Sequence, residues 1–454
     1  MRSRWLHLVA LFAVFAMVLA ACAGEDTGDE GDGDGGTDTT EADGGDAGGG
    51  DDTGFISVQG SETSPAEAGG NLAAFGVYRE ATGVEVSFTG SRNLSDLINI
   101  AIEAGTEPDV AFIPQPGKVA DFARNGNIVQ LPDSVAQVNQ DAYGPYADFG
   151  VVDGEQYGVT VKTDLKSLVW YKPERFAEAG YEVPETFDAL VELTDQMIAD
   201  GETPWCVGIE SGTATGWAFT DWVEDLMLRF HGAEVYDQWV AHEIPFNDER
   251  VVEVWQTVLD LWNKDGAVYA DGGSIATTSF SANAVPLEED QCWMHRQANF
   301  FASFFTSGYP IGPGEDPERI EVFYFPGDGT EKPVLSAGVV AVAFNDRPEV
   351  MDFMEWLAGP EFAQERQRSQ SATQGGTSGY LSAAEGQDPE VYNEFELSLL
   401  DILQSADVAR FDGSDLMPSA VGAGTFWTEA TAAVNGDKTA EEATQTIEDS
   451  WPDS

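Results

Sequence analysis

Phe55-Ile56-Ser57-Val58-Gln59-Gly60 reads as a short apolar strand, and the elements after it decide the fold class. Helical spacing runs over residues 65–80, a strand over 84–89 and a helix over 94–104. Asp109-Val110-Ala111-Phe112-Ile113 is a third strand, and residues 118–124 form a short helix. Strands alternating with helices predict a parallel sheet covered on both faces. In such sheets ligands bind beyond the carboxyl ends of the strands. Those ends are Gly60-Ser61-Glu62-Thr63, Gly90-Ser91-Arg92 and Pro114-Gln115-Pro116-Gly117.

Further along, residues 157–172 join two strand-like pieces with no helix between them. Three of the seven lysines (Lys162, Lys166, Lys172) fall there within eleven residues. This is either a solvated edge strand, where Lys discourages aggregation, or a crossing between lobes with polar groups facing a cleft. A second alternation comes next: a helix over 187–200, a strand over 205–209, and helices over 217–229 and 249–263. Cys292-Trp293-Met294-His295-Arg296 is strand-like, as are residues 320–325 and 336–344. From 347 onward the pattern is mostly helical, and no repeat of solenoid period is visible.

Upstream, Arg2 and Arg4 precede an uncharged apolar run that ends in Leu19-Ala20-Ala21-Cys22. Positive start, apolar middle and small residues at the end are the layout of a secretory signal. The run is short for a transmembrane helix, which needs about 20 residues. Residues 23–54 hold no aromatic, Leu, Ile, Val or basic residue. Such a segment cannot offset its ordering entropy and is expected to be a disordered acidic Gly-rich tether.

The formal net charge is −59. Twelve of the 80 acidic residues lie in the tether and two of the 21 basic residues in the leader, which leaves −49 from residue 55 on. Nucleic acid is therefore an improbable partner, because phosphate binding needs a basic footprint. Direct adhesion to anionic lipid is improbable for the same reason. The surface is either salt-adapted, in the halophilic manner, or acidic merely for solubility. The chain has three Cys and four His, with no CxxC, G-x-S-x-G, H-E-x-x-H or Walker A motif. A zinc site has little support, and no metal or cofactor is expected.

The ending Leu19-Ala20-Ala21-Cys22 resembles a bacterial lipoprotein signal, which implies cleavage before Cys22 and lipidation of its thiol. Four other stretches resemble the extracellular sugar-binding proteins of bacterial ABC importers, the group that includes maltose-binding protein. They are Asp153-Gly154-Glu155-Gln156-Tyr157-Gly158 with Leu168-Val169-Trp170-Tyr171-Lys172 and Phe176-Ala177-Glu178-Ala179-Gly180; Leu335-Ser336-Ala337-Gly338-Val339; Glu355-Trp356-Leu357-Ala358-Gly359-Pro360-Glu361; and Phe426-Trp427 followed by Thr439-Ala440-Glu441-Glu442-Ala443. A narrower likeness, to α-glucoside-binding members, runs through Thr203-Pro204-Trp205-Cys206-Val207-Gly208 and Cys292-Trp293-Met294-His295-Arg296-Gln297.

The resemblance implies an α/β, two-lobed periplasmic-binding-protein-like fold. Each lobe is a mostly parallel sheet flanked by helices, and the hinge is made of crossing strands. The implied boundaries are 55–162 and 323–345 for the N-terminal lobe, and 163–322 and 346–454 for the C-terminal lobe. It also implies sugar-contacting positions. Ser61, Glu62 and Gln115 fall on strand-end loops, Asp164 in the crossover, Trp217 near a loop of the second lobe, and Arg296 and Gln297 at a strand end. An expected Trp is replaced near Asn299 and Phe300, Trp427 falls on a late helix, and Gly375 and Gly376 lie where some relatives close a glycine-rich loop over the ligand. Other readings stay open. Glu62 suits a position leading into a helix, Asp164 a salt bridge to Lys162 or Lys166, and Trp217 and Trp427 a core. Arg296 suits a buried ion pair, and the two glycines suit turns. Cys206 and Cys292, in strand-like segments of the second lobe of an exported protein, are expected to form a disulfide, against two buried free thiols.

The implied function is a lipid-anchored, monomeric, non-enzymatic protein outside the cytoplasm. It captures an α-glucoside or related oligosaccharide and delivers it to ABC permease subunits, meeting the membrane only through its anchor. The alternatives are a secreted glycoside hydrolase, or the same fold binding a polyamine, metal or peptide. Charge of this density carries its own expectation, because salt screens repulsion over a Debye length of about 3 Å at 1 M. The melting temperature should rise steeply from low salt to molar salt across several salts; an unchanged value would contradict salt adaptation.

Overall fold

The computed structural model describes residues 54–328, 332–406 and 408–452. The leader, Cys22 and residues 23–53 of the tether lie outside the described residues. Among the described residues no helix is long and apolar enough to cross a membrane.

The first sheet has the order Ala409–Phe411, Val334–Ala343, Val110–Ile113, Phe55–Gly60, Glu85–Gly90, and Gly158–Leu165 also pairs with Val334–Ala343. Phe55–Gly60 runs parallel to both of its neighbours, as the alternation predicts. Val334–Ala343 instead runs antiparallel to Val110–Ile113 and to Gly158–Leu165, so the sheet is mixed. Both of these longer strands are buried along their whole length. The second sheet has the order Glu321–Tyr324, Leu168–Tyr171, Met294–Arg296, Trp205–Cys206, Val268–Tyr269.

One strand passes almost directly from sheet to sheet. Gly158–Leu165 belongs to the first and Leu168–Tyr171 to the second, with only Lys166 and Ser167 between. Those two residues stitch the passes together. Lys166 N donates to Leu335 O at 2.8 Å, Leu335 N to Ser167 Oγ at 2.9 Å, and Phe325 N to Ser167 O at 2.9 Å. These bonds satisfy backbone groups that no regular ladder reaches at the crossing.

Each lobe has its own core. In the first, Phe75 on the helix Pro65–Thr82 meets Phe353 at 5.3 Å and Phe362 at 6.0 Å between ring centroids. In the second, Trp222 lies 5.1 Å from Trp205 and 5.6 Å from Trp262. These contacts correct the expected boundaries. Helices Pro348–Ala358 and Pro360–Gln374, expected in the C-terminal lobe, pack in the first core through Phe353 and Phe362. Strand Glu321–Tyr324, of which residues 323 and 324 were expected in the N-terminal lobe, pairs with Leu168–Tyr171 in the second sheet. Apolar spacing identified these elements but carries no information about which core they join.

Cys206 and Cys292 are joined by a disulfide across 86 residues. Cys206 ends the strand Trp205–Cys206, and Cys292 lies two residues before the strand Met294–Arg296, which pairs with it in parallel through Met294 and Trp205. A loop of that length contributes about 4–5 kcal/mol in the chain-entropy model. The double variant Cys206→Ser with Cys292→Ser should lose up to that amount in denaturant unfolding. A midpoint unchanged by both substitutions would contradict a stabilising bridge.

Candidate functional site

Side chains alternate across a strand with period two. In the crossing strand this sends Val159, Val161 and Leu165 into apolar cores. It sends Lys162, Asp164 and the following Lys166 to the opposite face, where all three line a cavity of about 140 Å³. The antiparallel neighbour contributes Gly338 to the same floor.

Both walls repeat one motif: an ionised carboxylate, a second acid held up, and a lysine. On the first-lobe side Glu62 follows the strand Phe55–Gly60. Its Oε1 pairs with Arg366 and lies 3.6 Å from Lys162 Nζ, and its Oε2 accepts from Asn71 Nδ2 at 2.7 Å. Burial alone would raise the Glu62 carboxyl, but Arg366 and Lys162 together hold it down to about 2. Glu67, one turn into the next helix, is pushed up by burial and by the charge of Glu62. On the other side Asp412 pairs with Lys166, which also lies 2.8 Å from Asp221. Burial opposes ionisation of Asp412, and Lys166 overcomes it, to about 2. Asp415 is shifted well up by burial and by Asp412. Ionised carboxylates only accept hydrogen bonds, whereas protonated ones and lysines donate. Carboxylate acceptors and lysine donors therefore stand together in the cavity wall. Asp221, Glu224 and Asp412 bring their oxygens within 4.8 Å of one another, but the Lys166 ammonium already bonds two of the three, so this is an ion-pair network.

The remaining wall is aromatic. Trp217, Phe280, Phe300, Phe304 and Trp427 all line the cavity. Trp217 meets Phe280 edge-on at 4.8 Å. Three of the rings carry a protein cation: Lys162 lies 4.9 Å from Phe300, Lys166 5.3 Å from Trp217, and Arg92 4.9 Å from Phe280. Trp427 is 5% exposed, and its Nε1–H has no hydrogen-bond partner among the described residues, as is also true of the core residues Trp239, Trp255 and Trp262.

Close backbone approaches set the site's shape. A Cβ on Gly90 would lie 1.8 Å from Glu62 O, so only glycine lets the Ser61–Glu62 loop cross the neighbouring strand end. Gly216 has φ +115° and a Cβ there would lie 2.2 Å from Trp427 O. This contact brings the backbone just before Trp217 against that of Trp427. The lobes touch at both rims: Thr213 N donates to Asn93 Oδ1 at 3.2 Å, and Ser419 N to Asp121 Oδ2 at 3.2 Å. The cleft is closed.

Residues 59–364 match the family of bacterial extracellular solute-binding proteins. The chain belongs to this family. Its members are binding proteins, not enzymes. Among curated relatives, the osmoprotective compounds-binding protein GgtB of Synechocystis sp. is 39% identical over 390 residues, covering 84% of this chain and 88% of that one. The alpha-glucosides-binding periplasmic protein AglE of Rhizobium meliloti is 39% identical over 388 residues, covering 82% and 81%. Solved structures share the fold. A maltose-bound protein of T. maritima superposes with TM-score 0.66 at 17% identity, over 87% of this chain and 98% of that one. A chitin oligosaccharide binding protein gives 0.71 at 16% identity, over 88% and 98%.

Of the residues the sequence pointed to, Ser61, Glu62, Gln115, Asp164, Trp217, Phe300 and Trp427 border this cavity. Four do not. The Arg296 guanidinium lies behind it, 2.7 Å from Asp225 and 3.5 Å from Asp221, as a buried ion pair. Gln297 turns its Oε1 onto Ala298 N at 2.9 Å. Gly375, with φ +80°, caps the helix Pro360–Gln374 and leads into Gly376, and neither reaches the cavity. The missed Asp412 and Asp415 follow the strand Ala409–Phe411, which pairs in parallel with Val334–Ala343. The strand-end rule would have found them had that three-residue strand been read. Phe280 and Phe304, on short 3-10 helices, carried no such signal.

Gly216→Ala tests the packing that seats the tryptophans. It should lower stability by about 1–3 kcal/mol for the backbone conformation alone, and more for the contact with Trp427 O. Unfolding indistinguishable from the parent would contradict this geometry.

Proposed function

We propose that this chain is the substrate-binding component of an ABC sugar importer, lipid-anchored through Cys22, and that it captures a small neutral glucoside for delivery to its permease. The observation that carries the reading is the pairing of the cavity's charges with one another. Each wall's carboxylate already holds a lysine, and three aromatic rings already hold a protein cation. A cationic ligand would meet Arg92, Lys162 and Lys166 at those rings. An anionic ligand would meet Glu62, Asp164 and Asp412.

A neutral polyol suits both halves of the site. Its hydroxyls donate and accept in turn, and the apolar face of a pyranose packs on an aromatic ring. Cavity size supports a compact ligand. At about 10–15 Å³ per water position and about 30 Å³ of liquid per water, the site corresponds to roughly ten waters, on the order of 300 Å³. That lies at the small end of ligand pockets and favours about two rings over a long chain. The relative named for alpha-glucosides supports such a molecule, and the acidic composition is consistent with a saline setting. The contacts we assign to the ligand are Ser61, Glu62, Gln115, Asp164, Trp217, Phe300 and Trp427. Binding favours the closed lobes because only then do both walls touch the sugar.

Calorimetry with maltose, sucrose and trehalose should show one of them bound one to one, with no glucose released. Glycine betaine and glucose 6-phosphate should not bind. Trp427→Ala should fold and weaken binding by about 2 kcal/mol or more. Preference for a charged solute, or steady release of glucose, would overturn the proposal.

A further inference from the structure

Arg366 is the largest charged side chain wholly buried in the protein, at 0% exposure, and it does not border the cleft. It projects from the helix Pro360–Gln374, whose inner face is unusually polar: Gln367, Gln370 and Gln374 are buried beside it. Its Nη2 pairs with Glu62, its guanidinium carbon lies 4.4 Å above the Tyr380 ring, and its Nε and Nη1 have no hydrogen-bond partner among the described residues. Tyr380 in turn donates from its hydroxyl to Val161 O at 2.8 Å, on the crossing strand. Arg366 is thereby held between the helix and the hinge, with one prong aimed at a single cleft carboxylate.

We propose that Arg366 is a positioning residue for ligand capture: from behind the cleft it orients Glu62 and keeps it an acceptor for a ligand hydroxyl. The proposal rests on the capture of a neutral glucoside in this cleft and deepens it. Glu62 is faced by Arg366 from the helix Pro360–Gln374, by Lys162 from the crossing strand, and by Glu67 and Asn71 from the helix Pro65–Thr82. Arg92 and Asp164 lie one step further out, bridging to Glu67 at 3.7 Å and to Lys162 at 3.4 Å. Tyr143 and Tyr380 are the titratable neighbours on the Arg366 side.

Lys162 is shared with Asp164, so it cannot by itself replace the arginine. Without Arg366, burial dominates and Glu62 takes up a proton as pH falls. Its carboxyl then donates where it formerly only accepted. A charged acceptor bonds a hydroxyl more strongly than a neutral one, so affinity should fall with it.

The test is a double-mutant cycle read by calorimetry with maltose, sucrose and trehalose, using whichever the parent binds, from about pH 7.5 to about pH 5. Arg366→Met should weaken binding about tenfold or more. The loss should deepen towards pH 5 relative to the parent. In a Glu62→Gln background the same substitution should cost almost nothing and add no pH dependence, because the carboxylate it serves is gone. The double variant also removes both members of the buried pair, so it should fold even where Arg366→Met alone leaves Glu62 with only the shared Lys162 as counter-charge. Arg366→Lys, which keeps the charge, should restore the parent's pH profile in part. An equal loss in both backgrounds would make Arg366 merely structural and overturn the proposal. So would a folded Arg366→Met with the parent's affinity and profile. A parent that binds none of the three sugars would overturn the proposed function and this role with it, a result distinct from either of the others.

Discussion

The cleft depends on two buried lysines four residues apart, Lys162 on the crossing strand and Lys166 just past its end. Lys162 and Lys166 are each about 5% exposed, and each answers acids on a different wall. Lys162 lies between Glu62 and Asp164, and Lys166 between Asp221 and Asp412. The period of the strand puts both on the cavity face, while Val159, Val161 and Leu165 anchor the other face in apolar cores. Remove either ammonium and several buried carboxylates lose their counter-charge together. Breaking such a pair leaves a charge uncompensated, which costs far more than the intact pair contributes.

Buried ion pairs are a poor source of stability, and they are not the source here. Stability comes from the apolar cores: the phenylalanine cluster of the first lobe, the tryptophan cluster of the second and the bridge between Cys206 and Cys292. The charged network supplies a fixed arrangement of donors and acceptors. The same network runs out of the cleft through Arg296, Asp225 and Arg229 on one side and through Arg366 on the other. The walls are therefore fixed from behind by groups that never meet solvent.

Much of this was legible in the sequence. The parallel start of the first sheet and the strand-end loops carrying Ser61, Glu62 and Gln115 follow from spacing alone, and the family motifs extended that reading to the crossing strand with Asp164, and to Trp217 and Trp427. The failures share a cause. Helix Pro360–Gln374 has Arg366, Gln367 and Gln370 on its buried side, so its polar residues do not mark its solvent face. Arg296 has the chemistry of a sugar contact, but Asp221 and Asp225, seventy residues away in the chain, claim it in space. Asp412 and Asp415 follow a strand too short to show a period. Long-range pairing, not local pattern, decided all three.

The most direct measurement is a crystal structure of the protein with the glucoside it retains. One molecule should lie between the lobes, its hydroxyls bonded to Glu62 and Asp164, and a ring face against Trp217 or Trp427. A ligand seated outside this cleft would contradict the proposed site. So would a ligand inside the cleft that separates Lys162 from Glu62 and Asp164, and Lys166 from Asp412, because the charge compensation that selects a neutral solute would then not be a property of the bound state.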